Sequence, residues 1–208
     1  MLHLDHGLTL ETVRLALDLG FSSVMFDGSL LPFGENISRV KTVCELAKEK
    51  GVSVEAELGV VGGNEGEGKA HEIKCTDPLL AGEFCEKTGV DALAVAIGNA
   101  HGHYPVSPEL RTDVLEEINK VCKIPLVLHG GSGITPQMFQ ECIQHGVRKI
   151  NIATAGFDAV ANGASDYLSS EKKPTFFGLS EAEMLGVYEN TKKHIRIFNM
   201  ENAGQTRL

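Results

Sequence analysis

The fold of this chain is decided by a repeated unit whose fullest copy reads LVLHGGSGITP at residues 126–136. Three apolar residues that suit a buried β-strand lead to His129, and a glycine-rich turn then leads to Thr135 and Pro136. A threonine oxygen placed before a first-turn proline is a helix start signal. The unit therefore predicts a strand, a turn that carries polar groups, and a helix.

The same unit recurs along the chain. Short apolar runs are followed by amphipathic helical patterns, and glycines stand where those helices should end. Six runs predict strands at residues 2–5, 23–27, 53–58, 92–98, 126–129 and 149–153. Asp77-Pro78 and Ser107-Pro108 give further helix starts, and later helices are predicted from about Gly156 and over residues 180–200. This alternation, with uniformly apolar strands, requires a parallel sheet covered by helices.

The placement of polar residues favours a barrel over an open doubly wound sheet. In a (β/α)8 barrel every strand ends at one mouth, whereas an open sheet concentrates its ligands at a switch point. Polar residues lie at or near the carboxyl end of most of the predicted strands: Asp5, His6, Asp27, Glu57, His101, His129 and Asn151. A full TIM barrel has eight strands and about 250 residues. We therefore predict a single partial TIM-barrel domain over residues 1–208, made of strands three to eight and a C-terminal helix. The two missing βα units are expected before Met1, with closure by a partner subunit as the alternative.

The composition limits the classes of partner. A net charge of −9 without clustered Lys or Arg argues against nucleic-acid binding. No apolar run approaches the roughly 20 residues that span a bilayer, so no membrane association is predicted and the expected location is the cytoplasm. The five cysteines have no CxxC spacing, which predicts four reduced core thiols and Cys75 on a loop.

Three histidines at strand ends predict a metal centre. His6, His101 and His129 would converge at the barrel mouth, and three neutral imidazoles leave one position of a Zn²⁺ ion open to water or substrate. Asp5 precedes the first of them and could act as an acid or a base. His101 and His103 could instead form a metal clip, but the position of His103 predicts a solvated loop residue.

Two neighbouring segments predict an anion site. Residues 130–133, GGSG, offer backbone N–H groups and lead to a helix N-terminus. Residues 151–154, NIAT, end the next strand, and barrels often bind phosphate between their last two strands. A metal beside such a site indicates a phosphorylated, oxygen-rich substrate.

The remaining charged residues leave alternatives open. Glu55 and Glu57 lie on one face of their strand, inside the barrel, where they could pair with Lys or Arg or support the metal ligands. Asp27 could cap a turn or line the site. Lys149 is interpreted as a strand-start residue far from the mouth. Residues 60–75 have no apolar period and predict a mobile loop over the mouth, which is either a closing lid or an inert surface excursion.

These motifs together resemble the zinc-dependent class II ketose-bisphosphate aldolases. The matching segments are LHLDHG at 2–7, FDGS at 26–29, VEAELG at 54–59, AVAIGNAHG at 94–102, LVLHGGSG at 126–133 and NIAT at 151–154. The resemblance implies cleavage of fructose- or tagatose-bisphosphate to dihydroxyacetone phosphate and an aldehyde, with zinc stabilising an enediolate. It also implies a role in glycolysis or related carbohydrate metabolism.

The resemblance further implies roles for single residues. Zinc would be bound by His6, His101 and His129, while Asp5 would move the C4 hydroxyl proton and Glu65 the C3 proton of the triose. The phosphate-bearing half, often with Na⁺ or K⁺ nearby, would be held by Gly102, Gly130, Gly131, Ser132, Asn151, Ile152, Ala153 and Thr154. Asp27 and Glu57 match positions that bind a second or displaced metal ion in some members.

The sugar, the assembly and the activity are left open. Ala153 stands where fructose-bisphosphate enzymes commonly carry Asp, which favours the tagatose-bisphosphate subgroup. The family implies a homodimer or a homotetramer. Two other functions are kept as alternatives: a zinc-dependent barrel hydrolase, and a truncated non-catalytic subunit or fragment of an aldolase.

Overall fold

The computed structural model describes residues 1–63 and 72–199. Its strands are β1 (His3–Gly7), β2 (Ser23–Phe26), β3 (Ser53–Leu58), β4 (Gly62–Gly63), β5 (Ala92–Val95), β6 (Ala100–His101), β7 (Leu126–Leu128) and β8 (Val147–Ile150). Six of them form a parallel sheet in the order β1-β2-β3-β5-β7-β8, and β4 pairs with β6 in a separate parallel pair. The six predicted strands are confirmed, and the β4–β6 pair is an addition.

The helices are α1 (Leu10–Asp18), α2 (Phe33–Lys50), α3 (Pro78–Thr88), α4 (Thr112–Val121), α5 (Pro136–Gln144), α6 (Thr154–Ser170) and α7 (Phe176–Phe198). The starts of α3 and α5 are confirmed, because the Asp77 and Thr135 side chains accept first-turn N–H groups. The start predicted at Ser107 is wrong. The Arg111 N–H donates to the Ile97 carbonyl at 2.7 Å, and α4 begins only after that bond. Within the described residues, no helix is long and apolar enough to cross a membrane.

Side chains of the main sheet alternate between two faces. Val24 and Phe26 belong to the large core that the helices cover, whereas Met25, Ala94 and Val127 form a small cluster on the other face. Met25 is paired in register with Glu55. The second face is therefore the one on which carboxylates and apolar side chains meet.

The sheet is curled into a partial barrel. β1 and β8 are its edges, and six strands about 4.8 Å apart would separate the edges of a flat sheet by roughly 24 Å. Instead, Nδ2 of Asn151, which follows β8, lies 3.0 Å from Oδ2 of Asp5 on β1. The carboxyl ends of the strands thus meet at one mouth, which confirms the predicted barrel in its partial form.

Candidate metal centre and adjoining cavity

Three imidazoles converge at this mouth. His6 belongs to β1, His101 to β6, and His129 follows β7. One ring nitrogen from each lies within 4.8 Å of the others, and Nε2 of His6 is 2.9 Å from Nδ1 of His129. The structure brings together the histidines that the sequence singled out, although His101 stands on the short strand β6 rather than next to the end of β5.

A backbone irregularity directs His6 into this cluster. The register between β1 and β2 shifts between Leu4 and Gly7, and His6 is the only described non-glycine residue with a positive φ, 50°. Such a conformation is uncommon outside glycine and often marks a functional site. The shift places Asp5 beside the cluster, with its Oδ1 3.8 Å from Nε2 of His6.

Carboxylates orient two of the three rings. Nδ1 of His6 donates to Oδ2 of Asp27 at 2.9 Å, and Nε2 of His129 donates to Oε1 of Glu55 at 2.7 Å. The other nitrogen of each neutral ring then keeps its lone pair. Two such nitrogens 2.9 Å apart need a cation or a shared proton between them. Imidazoles held by carboxylates are the donor set that Zn²⁺ prefers, so these residues fit a zinc ion.

Asp27 and Glu57 form a second cluster with His6. One potential ligand atom of each lies within 4.8 Å of the others. Burial alone would raise the pKa of Asp27, but hydrogen bonds from His6 and Ser29 outweigh it and lower the pKa to about 2. Burial, together with the charge of Asp27, raises the pKa of Glu57 to about 8. A second cation would therefore have to displace the proton of Glu57 at neutral pH.

Lys149 lies on the concave face, so the interpretation that placed it far from the mouth is wrong. β8 begins at Val147 rather than at residue 149, which moves Lys149 into the strand. Its Nζ lies 2.9 Å from Oε2 of Glu55 and 2.7 Å from Oδ1 of Asn151. Burial alone would raise the pKa of Glu55, but the hydrogen bond from His129 and the charge of Lys149 lower it. Glu55 thus pairs with a lysine and also orients a histidine. The sequence had left these two roles, ion pairing and support of a metal ligand, as alternatives, and Glu55 makes both contacts.

A cavity of about 520 Å³ adjoins the histidines. It is lined by Asp5, His101, Gly102, Gly130, Gly131, Ser132, Asn151, Ile152, Ala153, Thr154 and Phe157. Every residue predicted to hold the phosphate-bearing half is in this set. Phe157 is the one lining residue that the sequence did not single out. Its place three residues after Thr154, about one turn into α6, could have indicated it.

Two further residues, which the sequence patterns did not indicate, hold the loops that carry the histidines. Asn99, which is fully buried, donates from Nδ2 to the His129 carbonyl at 3.0 Å. The Tyr104 hydroxyl accepts from the Ala100 N–H at 2.8 Å and donates to the Gly130 carbonyl at 2.9 Å. Both residues flank His101 in the sequence. Their polar groups connect segments that are distant in the chain, which no local pattern indicates.

The glycine-rich turn fits closely against its neighbours. Gly130 has a φ of 66°, and a Cβ there would lie 2.2 Å from the Ala100 carbonyl oxygen, so only glycine fits. The Gly131 N–H donates to the Asn151 carbonyl at 3.0 Å. That N–H is therefore occupied, and the turn does not present all its N–H groups as predicted.

The segment that was predicted to form a loop over the mouth is described only at its two ends. Val60 and Lys74 exchange backbone hydrogen bonds of 2.8 and 3.0 Å, so the two ends of the segment are joined. Glu65, the predicted acid, belongs to residues 64–71, which are outside the described residues. His103 is solvated as predicted, with its side chain 75% exposed and 3.6 Å from Asp158.

A family model described as class-II fructose-bisphosphate aldolase matches residues 1–203. The chain belongs to the class II fructose-bisphosphate aldolase family. It is 48% identical over 172 residues to fructose-bisphosphate aldolase of Staphylococcus aureus strain Mu50, covering 83% of this chain. It is 44% identical over 171 residues to that of Staphylococcus epidermidis strain ATCC 35984, covering 82% of this chain. This class II aldolase chain spans 60% of the length of each of these relatives.

Among solved structures, the chain is similar to the YdjI aldolase from Escherichia coli K12. The TM-score is 0.81 at 33% identity, and the match covers 98% of this class II chain and 70% of that one. The likeness extends over the curled parallel sheet and its helices. The TIM-barrel type of the fold therefore agrees with the family.

Proposed function

We propose that this chain carries the active site of a zinc-dependent aldolase that cleaves a ketose 1,6-bisphosphate to dihydroxyacetone phosphate and an aldehyde. The observation that supports it most is that a cluster of three imidazoles opens onto a polar cavity at the barrel mouth. His6, His101 and His129 would hold the ion. A bound zinc ion would supply stabilisation of the negative charge that develops on the ketose oxygens.

Asp5 is the residue we propose to move the C4 hydroxyl proton. As the C3–C4 bond breaks, its electron pair passes to the triose half, and loss of the hydroxyl proton allows O4 to form the aldehyde carbonyl. The Asp5 carboxylate lines the cavity, and its side chain is 45% exposed. It can therefore contact substrate and exchange its proton with water. Both its oxygens accept from Nδ2 of Asn151, at 3.1 and 3.0 Å.

The cavity wall next to Asp5 would hold the phosphate-bearing half. α6 begins at Thr154, and the partial positive charge of a helix N-terminus favours an anion there. The Ser132 hydroxyl accepts from the Ala155 N–H at 2.9 Å, which joins the glycine turn to that helix. Gly102, Gly130 and the 151–154 segment complete the wall, and a Na⁺ or K⁺ ion nearby remains part of the proposal.

The identity of the sugar depends on the end of this wall. Ala153 is the N-cap of α6 and makes no side-chain capping bond. An Asp at that position, as the resemblance implies for fructose-bisphosphate enzymes, would supply an oxygen that Ala153 does not. The missing oxygen agrees with the tagatose-bisphosphate subgroup that the resemblance favours, and the proposal covers both tagatose 1,6-bisphosphate and fructose 1,6-bisphosphate, which differ only in configuration at C4.

Metal analysis and a coupled assay for triose phosphate test the proposed function. We expect about one zinc per chain, cleavage that is lost with a chelator and restored by Zn²⁺, and loss of both zinc and cleavage in His129→Ala. His145→Ala, which changes a histidine at the end of α5, is the matched control and should keep both. Full activity in chelator-treated protein would contradict the proposal.

The alternative is a chain that keeps the metal site without turnover. It is favoured by the open sheet edges at β1 and β8 and by the 60% span of the curated relatives. Zinc binding and cooperative thermal unfolding, without cleavage of either bisphosphate, would support this alternative. Release of inorganic phosphate without triose phosphate would instead support a zinc hydrolase.

Assembly and location also stay proposals. α6 and α7 leave large apolar side chains exposed, among them Phe176, Phe177 and Met184 at 75%, 82% and 68%. Such a surface suits contact with a second subunit, in line with the expected homodimer or homotetramer. Sedimentation would measure the mass. Cytoplasmic location is retained as the expectation for a phosphorylated-sugar enzyme.

A further inference from the structure

We infer that Lys149 is a positioning residue, which holds the Asn151 amide against Asp5 and ties it to the carboxylate that orients His129. The inference rests on the proposed aldolase function, because it assigns the purpose of these contacts to proton transfer by Asp5. Nζ of Lys149 contacts Oδ1 of Asn151 and Oε2 of Glu55, so its effect on Asp5 passes through Asn151, while Glu55 holds the ammonium in place.

The Lys149 ammonium settles which way the Asn151 amide points. An ammonium group only donates hydrogen bonds, so the atom of Asn151 that lies 2.7 Å from Nζ must be the oxygen. A flipped amide would bring an NH₂ group against the ammonium. With Oδ1 held there, Nδ2 is directed to the Asp5 carboxylate, where it lies 3.0 and 3.1 Å from the two oxygens.

Glu55 in turn fixes the Lys149 ammonium. Its side chain is only 3% exposed, and its two oxygens are shared between Nζ of Lys149 at 2.9 Å and Nε2 of His129 at 2.7 Å. A buried carboxylate with both oxygens engaged has little freedom to move. The contacts therefore form one continuous series: His129, Glu55, Lys149, Asn151 and Asp5.

A covalent role for Lys149 does not agree with this arrangement. A Schiff base requires an amine nitrogen that is free to attack a carbonyl, whereas Nζ of Lys149 is held between Oε2 of Glu55 at 2.9 Å and Oδ1 of Asn151 at 2.7 Å. A second role, as a positive charge that attracts the substrate phosphate, needs no contact with Asn151. The two roles differ in whether removal of Asn151 makes Lys149 dispensable.

A double-mutant cycle in the full chain separates the two roles. The variants are Lys149→Met, Asn151→Ala and the double variant, each loaded with Zn²⁺. The readouts are zinc content, kcat and KM for the bisphosphate, and dihydroxyacetone phosphate affinity by calorimetry. Lys120→Met is the matched control, because Lys120 forms an exposed ion pair with Glu116 on α4 at 2.8 Å.

We expect Lys149→Met to keep about one zinc per chain while kcat falls on the order of 10- to 100-fold, the usual effect of removing a partner behind a metal site. The double variant should be no worse than Asn151→Ala alone within about twofold, because the loss passes through the same amide. Lys120→Met should stay within about twofold of the parent.

Three results would overturn the inference: losses that multiply in the double variant, a Lys149→Met variant indistinguishable from the parent, or substrate-dependent trapping of Lys149 by borohydride. If the parent protein binds zinc but does not cleave substrate, the double-mutant cycle is evaluated from the dihydroxyacetone phosphate affinities of the same variants. A parent that neither binds zinc nor cleaves would refute the proposed function and this inference with it. Failure of the cycle in an active parent refutes the inference alone.

Discussion

Nε2 of His129 donates a 2.7 Å hydrogen bond to Oε1 of Glu55, and both side chains are buried. The contact crosses the concave face of the sheet, because β5 lies between the strands that precede His129 and contain Glu55. It assigns the proton of the ring to Nε2. Nδ1 is then directed towards His6 with its lone pair available to a metal ion.

Glu55→Ala should weaken zinc binding by about 10- to 100-fold. The change removes both the group that orients His129 and a negative charge close to the ion, so the two effects act in the same direction. Competition between the protein and a chromogenic chelator measures the affinity. Glu116→Ala, which removes an exposed carboxylate on α4, should leave it unchanged; equal affinities in the two variants would contradict the assignment.

Asp5→Asn should lower kcat by about 10²- to 10⁴-fold, because an amide of the same shape cannot accept the C4 hydroxyl proton. Zinc content should stay at about one per chain, since Asp5 is not one of the three residues proposed to bind the ion. Steady-state kinetics with both bisphosphates make the measurement. Asp18→Asn, at an exposed carboxylate paired with Lys50, is the control, and a similar kcat in both variants would exclude Asp5 as the proton carrier.

Gly130→Ala should destabilise the chain by more than about 1 kcal/mol, since it combines a left-handed φ with a Cβ placed 2.2 Å from the Ala100 carbonyl oxygen. Gly156→Ala should be neutral or stabilising by at most about 1 kcal/mol, because a Cβ on this glycine of α6 meets no atom within 4 Å. Urea unfolding of both variants tests the contrast. Equal midpoints would show that the turn relaxes without cost.

Cys75 should be the first thiol alkylated by iodoacetamide at pH 8, because it is exposed while Cys142 is buried. Burial raises the pKa of Cys44 to about 11 and that of Cys142 to about 12. A raised pKa means that the protonated, unreactive form prevails below that value, so at pH 8 roughly one Cys44 in a thousand is a thiolate. Peptide mass spectrometry gives the order of labelling. Labelling of Cys142 before Cys75 would contradict the burial of the Cys142 side chain. Denatured chain should label all five cysteines.

Local sequence patterns predicted much of the fold and of the candidate site. Apolar runs that end in polar residues predicted all six strands of the main sheet, since a strand's burial depends on its own side chains. The three histidines and the 151–154 segment were recognisable for the same reason: in a parallel sheet with helical crossovers, the ends of all strands share one side. The Ser107 helix start failed because capping chemistry cannot anticipate a bond between Arg111 and the Ile97 carbonyl.

The sequence by itself thus predicted the six strands of the main sheet, the class of fold and the three histidines that converge at the mouth. Only the tertiary structure decided where Lys149 lies and what Glu55 does, because both depend on how far the sheet curls and on which strand faces which across its concave side. A shift of two residues in the start of β8 moved a lysine from a supposed strand start into contact with Glu55 and Asn151. The contacts of Glu55 with His129 and Lys149 join residues more than seventy positions apart. Such contacts have no local signature, so their chemistry could be derived only once the strands were brought together in space.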